Sequence, residues 1–269
     1  MPESSSRLVT LLTDFGTRDV YVGVMRGVIA GIAPEARVVD LTHEVAPQAV
    51  EQAGFLLASA APWFPPGTIH VAVVDPGVGS ERKVVCALGA RATYLAPDNG
   101  LLERALRRDP PRRVISVEAR RFFLPEVSAT FHGRDVFAPV AAHLWNGLDP
   151  VELGPELAAP RGLPPSERPT RPGERLARVV HVDRFGNLVT DLPVTGLGPV
   201  RGARLGAREL PGPLVRTYAD RPPGSLVLLG GSSGTLELSR VGGDAAQELS
   251  ARLGDEVWVL LEPEGSREP

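Results

Sequence analysis

The chain has 269 residues, a hydrophobic fraction of 43% and a formal net charge of −3. That length holds one large domain or two ordinary ones, and the near-neutral charge leaves no basic footprint for nucleic acid. No apolar run reaches the roughly 18 residues of a membrane span, the first residues lack the charged and apolar regions of a signal peptide, and the single cysteine, Cys86, cannot close an internal disulfide; a soluble cytoplasmic protein is expected.

In chain order, RLVTLLTDF reads as a buried strand that ends at Asp14. VYVGVMRGVIAGI then places Val20, Val24, Val28, Ile29 and Ile32 at helical spacing. ARVVDLTH is a second strand and AVEQAGFLLASAAPWF a second helix. TIHVAVVD, KVVCALGA and TYLAP follow as strands, LLERALRR as a helix, RRVISVEA as a strand and VFAPVAAHLWNGL as a helix. Strands alternating with helices predict an α/β domain with a mostly parallel sheet over residues 1–150. Residues 151–174 are rich in Pro, Gly and Arg without periodicity and read as a linker. RLARVVHVD, NLVTDL, ARLGARE, SLVLLG, GTLELSRV and DEVWVLLEP then come at short intervals, with one helix at DAAQELSARL, which predicts a smaller all-β barrel over 175–269.

Polar residues gather where these strands end. Asp14 closes the first, Asp75 closes TIHVAVVD, and Asp98 and Asn99 follow TYLAP. Ligands of open α/β sheets bind beyond the carboxyl ends of the strands, although Asp14 and Asp98 are equally consistent with helix caps or turns. In VVDPGVGSER a Pro/Gly loop separates Asp75 from Arg82 and can fold the two charges together, either as a turn-closing ion pair or as part of a site. TFHGRD adds His132, Arg134 and Asp135 ahead of an apolar helix. An Asp, an Arg and a His at loop ends of one domain could orient and polarise a water. In the second half, Asp183 and Asn187 flank RFG between strands, which on its own reads as an ordinary hairpin turn, and Ser232 and Ser233 lie in a Gly-rich loop that could bond a ligand or simply satisfy a turn. The phosphate-loop, dinucleotide, nucleophile-elbow and H-E-x-x-H patterns are all missing from the sequence, so neither a metal nor a bound redox cofactor is expected.

Taken together, LLTDFGTRDVYVGVMRGVI, VAVVDPGVGSER, APDNGLL, TFHGRDVFAPVAA, VDRFGNLVTD and the SSGTLEL to GDAAQEL region resemble the adenosine-forming S-adenosyl-L-methionine (SAM) hydrolases, also called SAM hydroxide adenosyltransferases and related to the SAM-dependent fluorinase and chlorinase. The resemblance spans about residues 7–262. It implies conversion of SAM and water to adenosine and L-methionine, with SAM as substrate and no cofactor. It also implies a homotrimer in which SAM lies between the N-terminal domain of one subunit and the C-terminal domain of the next. By motif, Asp75, Arg82 and His132 would activate water and Asp14 would hold the ribose hydroxyls. Asp183 and Ser232 would bind the methionine end, Asn187 the adenine or the methionyl group, and the backbone around Ala245 the adenine; Asn99 and Glu237 complete the implied substrate-binding set. The chain departs from its relatives at Gln48, where an aromatic residue is common. A halogenase acting at the same carbon is the alternative within the resemblance, and a non-catalytic SAM- or adenosine-binding module the alternative outside it. A bare carboxylate about 4 Å from a halide would cost on the order of 4 kcal/mol at an effective dielectric near 20, which disfavours the halogenase.

Overall fold

The structure is a computed structural model that describes residues 7–163 and 171–263. The chain divides into two compact units between Pro164 and Pro165. In the first, β1 (Leu8–Thr13), β2 (Arg37–Thr42), β3 (Ile69–Val73), β4 (Val84–Leu88), β5 (Thr93–Pro97), β6 (Arg113–Ser116) and β7 (Glu156–Leu157) form one sheet in the order β2-β1-β3-β5-β4-β6-β7. Successive residues of the central strands point to opposite faces. Val9, Leu11, Val71 and Val73 therefore pack under α1 (Tyr21–Ile32) and α4 (Ala138–Trp145), and Leu12, Ala72 and Val74 under α2 (Val50–Ala60) and α3 (Glu103–Arg108). The near-continuous apolar runs of β1 and β3 follow from this burial on both faces.

The sheet is mixed, which corrects the expectation of a mostly parallel one. β2, β1, β3 and β5 run parallel, whereas β4 pairs antiparallel with β5 and β6, and β6 with β7. The reason is loop length. A short connection such as that between β4 and β5 permits only a hairpin, because a parallel crossover needs a dozen or more residues. The Asp109 carboxylate fixes this hairpin by accepting the backbone N–H groups of Ala90, Arg91 and Ala92 and the Tyr94 hydroxyl.

The stretch read as a linker starts as part of this unit. Pro150–Leu153 form a 3-10 turn capped by Asp149, β7 joins the sheet, and the backbone N–H groups of Arg161 and Leu163 donate to Asp98 and Glu103, both at 2.6 Å. Residues 164–170 of that stretch lie outside the described residues. In the second unit β8 (Glu174–Val182), β9 (Leu188–Pro193), β10 (Val200–Leu205), β11 (Arg208–Pro211), β12 (Leu226–Gly230), β13 (Thr235–Arg240) and β14 (Glu256–Leu261) pair antiparallel in the order β11-β10-β14-β8-β9-β13-β12. Val215, just beyond β11, bridges Leu229 of β12, so the sheet curls nearly closed around Ala177, Leu188, Leu238 and Val257. The helix α5 (Ala245–Leu249) is shorter than its sequence pattern predicts because Ser250 turns left-handed, at φ 51°. Among the described residues no helix is long and apolar enough to cross a membrane.

Candidate active site

In the first unit the strand order reverses at β1/β3: the chain proceeds from β1 outward to β2, then returns to place β3 on the other side. Such a switch point opens a crevice beyond the strand ends. Thr13 and Val73 are paired neighbours there, so Asp14 and Asp75 emerge together at that crevice. Two of the three strand-end acids singled out in the sequence, Asp14 and Asp75, thus share that crevice.

Beyond Asp75 the loop makes two consecutive turns, with Val78 N–H donating to the Asp75 carbonyl (3.2 Å) and Ser80 N–H to that of Gly77 (3.1 Å). The second turn places Gly79 at φ 77°, and a Cβ there would stand 2.4 Å from the Ala129 carbonyl oxygen. Only glycine meets both demands. This contact ties the loop to the segment that carries His132. Arg82 returns to Asp75 as a fork, Nε to Oδ1 at 2.9 Å and Nη2 to Oδ2, and Nη2 also lies 2.7 Å from His132 Nδ1. The Asp75 and Arg82 side chains retain only 5% and 9% exposure, so the pair is shielded from water and held in one plane. Burial, and next the Arg82 charge, push the His132 pKa down, with Asp75 and Asp135 opposing. His132 is therefore neutral at neutral pH. Its Nδ1 accepts from Arg82, which leaves the ring proton on Nε2.

His132 opens a π-helical turn, Gly133–Phe137, that runs directly into α4. Inside it, fully buried Asp135 accepts the Ser128 N–H (2.9 Å) and pairs with Arg134, and this fixes the segment ahead of His132. Phe15, Tyr21 and Phe131 cluster with centroids 5.1–5.9 Å apart, Phe131 meeting the other two rings edge-on, and join the residue after Asp14 to the residue before His132. Asp14 Oδ2 accepts the Gln48 N–H at 2.8 Å, and Gln48 holds a left-handed backbone, at φ 64°. Asn99 supports the strand end before Asp75. Its Nδ2 donates to the Val74 carbonyl (2.9 Å) and its Oδ1 accepts the Leu101 N–H (3.2 Å), so its amide braces the strand end that leads to Asp75.

In the second unit Asp183, Asn187, Ser232 and Glu237 line one cavity of about 700 Å³. Asp183 Oδ1 accepts the N–H groups of Phe185 and Asn187, both at 2.9 Å, and its Oδ2 accepts the Asn187 amide at 2.8 Å. Gly186, at φ 80°, leaves room for the Asp244 carboxylate, which a Cβ would meet at 2.1 Å. The Gly186 carbonyl in turn accepts the Ala246 N–H (2.9 Å). The RFGN turn and the GDAAQ segment with Ala245 are thereby packed together. Ala245 is buried beneath this contact and is not on the cavity wall. Glu237 is nearly buried and accepts from Ser239 (2.7 Å) and from Tyr218 (2.6 Å). Burial, and then Glu237, push the Tyr218 phenol up to about 12. Tyr218, Arg216 and Arg240 also line the cavity and were not singled out in the sequence; the lone aromatic in the polar stretch RTYAD was the available signal. Among the described residues no group of three or more His, Cys, Asp and Glu side chains is placed to hold a metal ion.

Fold and site define a two-unit protein: an α/β unit with a shielded Asp–Arg pair beside a half-buried His at its switch point, and an antiparallel near-barrel with a polar cavity. The family models for the SAM hydroxide adenosyltransferase N-terminal and C-terminal domains match residues 9–154 and 177–258. The chain belongs to the SAM hydroxide adenosyltransferase family. It is 43% identical to an (R)-S-adenosyl-L-methionine hydrolase of Thermus thermophilus over 94% of this chain and all of the relative, and 32% identical to one of Methanocaldococcus jannaschii over 94% and 95%. A fluorinase of an Actinoplanes species is 27% identical over 96% and 99%. A crystal structure of an uncharacterized conserved protein from Thermotoga maritima superposes with a TM-score of 0.88 at 35% identity, covering 94% of this chain and all of that one.

Proposed function

We propose that this protein hydrolyses S-adenosyl-L-methionine, in the (R) form named for its relatives, to adenosine and L-methionine. The observation that carries the reading is the shielded Asp75–Arg82 pair at the switch point with His132 bonded to it. SAM brings its own leaving group, a sulfonium, so neither an acid nor a cofactor is needed to expel methionine. What remains is to place a water in line with the ribose C5′ and to favour the charge it acquires. As the C–O bond forms and the C–S bond breaks, positive charge passes from sulfur to the attacking oxygen, and the C–S electron pair stays with methionine. The Asp75 carboxylate stabilises that charge and takes up the proton, which then leaves to solvent. Arg82 holds the carboxylate plane with its fork and also fixes the neutral His132 ring beside the reacting set. Orientation of this kind contributes on the order of 7–11 kcal/mol in favourable cases.

In this reading Asp14 holds the ribose hydroxyls, Asp183 and Ser232 take the methionine end, Asn187 faces the adenine or methionyl group, the backbone of the GDAAQ loop around Ala245 meets the adenine, and Glu237 shapes the cavity wall. The substrate spans the crevice of one subunit and the cavity of its neighbour in a homotrimer. The test is to supply (R)- and (S)-SAM separately in oxygen-labelled water. Equal adenosine and methionine from the (R) form, with the label in the adenosine 5′-hydroxyl, is the expected result. No consumption of either form would overturn the hydrolase reading, and a fully active monomer by light scattering would overturn the shared site.

A further inference from the structure

The turn that presents Asp14 is held from behind by a chain of polar residues to which neither the sequence motifs nor the reaction assigns a role. Thr13 and His43 are buried at 0% and 4% exposure. His43 Nδ1 lies 2.9 Å from Thr13 Oγ1, and Thr13 Oγ1 accepts the Phe15 N–H at 3.2 Å. The His43 carbonyl accepts the Gly16 N–H at 2.8 Å. Side chain and backbone of one histidine thus anchor both ends of the Asp14–Gly16 turn. On the far side of the ring, Nε2 stands 3.2 Å from Asp40 Oδ2, within reach of the carboxylate although off the line of a good hydrogen bond. Asp40 is held in turn by the Arg26 guanidinium, through Nε at 3.2 Å and through Nη2.

The donors order themselves along this chain. Thr13 Oγ1 has one hydrogen to give, and its nearby acceptor is His43 Nδ1. Because the Asp40 carboxylate can only accept, the ring proton belongs on Nε2, which faces it, and Nδ1 is the nitrogen that accepts from Thr13. The Thr13 lone pair stays free for Phe15 N–H. A buried hydroxyl without this partner would carry the cost of an unsatisfied polar group, so the chain fixes one rotamer of Thr13 and with it one path for the turn.

We propose that His43 is a positioning residue for the ribose end of the substrate: it acts through Thr13 to hold the Asp14 turn, with Asp40 and Arg26 orienting its ring. The inference rests on the reading of Asp14 as the ribose ligand. From the front, among the described residues, the Asp14 carboxylate is held by the N–H of Gln48, so the rear anchor decides how the carboxylate meets a diol.

The experiment measures adenosine and methionine affinity separately by calorimetry, with KM and kcat alongside, on the full-length protein. His43→Phe keeps the ring and removes Nδ1. It is expected to weaken adenosine binding about tenfold, the scale of one lost buried hydrogen bond, while methionine affinity and kcat change by less than about twofold. His43→Asn, whose amide oxygen can stand in for Nδ1, restores most of the adenosine affinity. In an Asp14→Ala background, His43→Phe adds almost nothing, because the two act on one contact. Should His43→Phe fail to fold, Thr13→Val removes the same contact from the other side with little change of shape. Equal loss of both ligands, or losses from His43→Phe and Asp14→Ala that multiply, would overturn the proposal. If Asp14→Ala alone leaves adenosine affinity unchanged, the Asp14 reading itself falls, and that result is distinct from a silent His43→Phe.

Discussion

Replacing Asp75 by Asn tests the site at its centre. The carboxylate meets Arg82 with two oxygens in a place where the acid and the guanidinium keep 5% and 9% exposure. Asn preserves shape and one acceptor oxygen, but it cannot take a proton at neutral pH and it turns an N–H toward a cation. Two effects of different size follow. Breaking a buried pair from one side costs about 3–5 kcal/mol; with one acceptor kept, about 3 kcal/mol, or on the order of 10 °C in the melting temperature of a unit this size, is expected. Loss of proton acceptance should lower kcat by about 10²–10⁴-fold, with SAM affinity nearly unchanged because the carboxylate does not hold substrate. The electrostatics of the crevice also change sign. In the wild type Arg82 neutralises most of the acid's field, so a halide there meets much less than the bare-carboxylate repulsion. In the variant Arg82 is left unneutralised, and chloride at about 4 Å would gain on the order of 4 kcal/mol before its desolvation cost. The assay follows adenosine release and SAM consumption with and without high chloride, beside calorimetry and thermal melts. Wild-type turnover in Asp75→Asn would make Asp75 a turn acid and remove the basis of the mechanism. A melting temperature unchanged within a degree or two would contradict the buried pair.

Gly79→Ala, with φ 77° and an intended Cβ 2.4 Å from Ala129 oxygen, should destabilise by about 1–3 kcal/mol and lower kcat more than it raises KM; melts and steady-state kinetics check this. Asp183→Asn keeps an acceptor for the Phe185 and Asn187 N–H groups but loses the charge, and calorimetry with methionine should show affinity falling by about tenfold or more. His70 is buried with its pKa pushed down to about 4, chiefly by desolvation, with Asp109 opposing. The unfolded chain therefore takes up a proton that the folded one refuses, so stability is full above about 6.5 and falls by about 3 kcal/mol as the pH drops to about 4. His70→Asn should flatten denaturant-derived stability across that window, and an unaltered slope would refute the assignment. Activity should fall on the acid side below pH 6.5 as His132 protonates and turns a donor toward Arg82.

Much of this was legible in the sequence because the physics was local. β1 and β3 end in acids after unbroken apolar runs, and the Pro/Gly loop between Asp75 and Arg82 has few ways to turn other than back on itself. The near-barrel also followed from short strands and frequent turns. What escaped reading depended on partners distant in the chain. The antiparallel β4 needed loop length weighed above alternation. Asn99 braces the strand end before Asp75 through Val74 and Leu101, which its place in PDNG does not report. Gln48 contributes through its backbone, which no side-chain pattern reports. Tyr218 and Glu237 meet only when β13 and the loop before β12 come together.

The π-helical turn after His132 has a consequence for how this protein can vary. A turn that holds one residue more than its α-helical equivalent is a phase shift. The buried face of α4, with Val140, Ala141 and Leu144 against the sheet, sets the angular position of everything behind it. Without the extra residue the upstream chain would rotate by about 100° around the helix axis, swinging His132 off Arg82 and carrying Asp135 out of the core. Residue count between His132 and α4 is therefore itself a parameter of the reactive set. A deletion of one residue there, sparing every side chain named above, would disassemble the site as thoroughly as replacing Asp75.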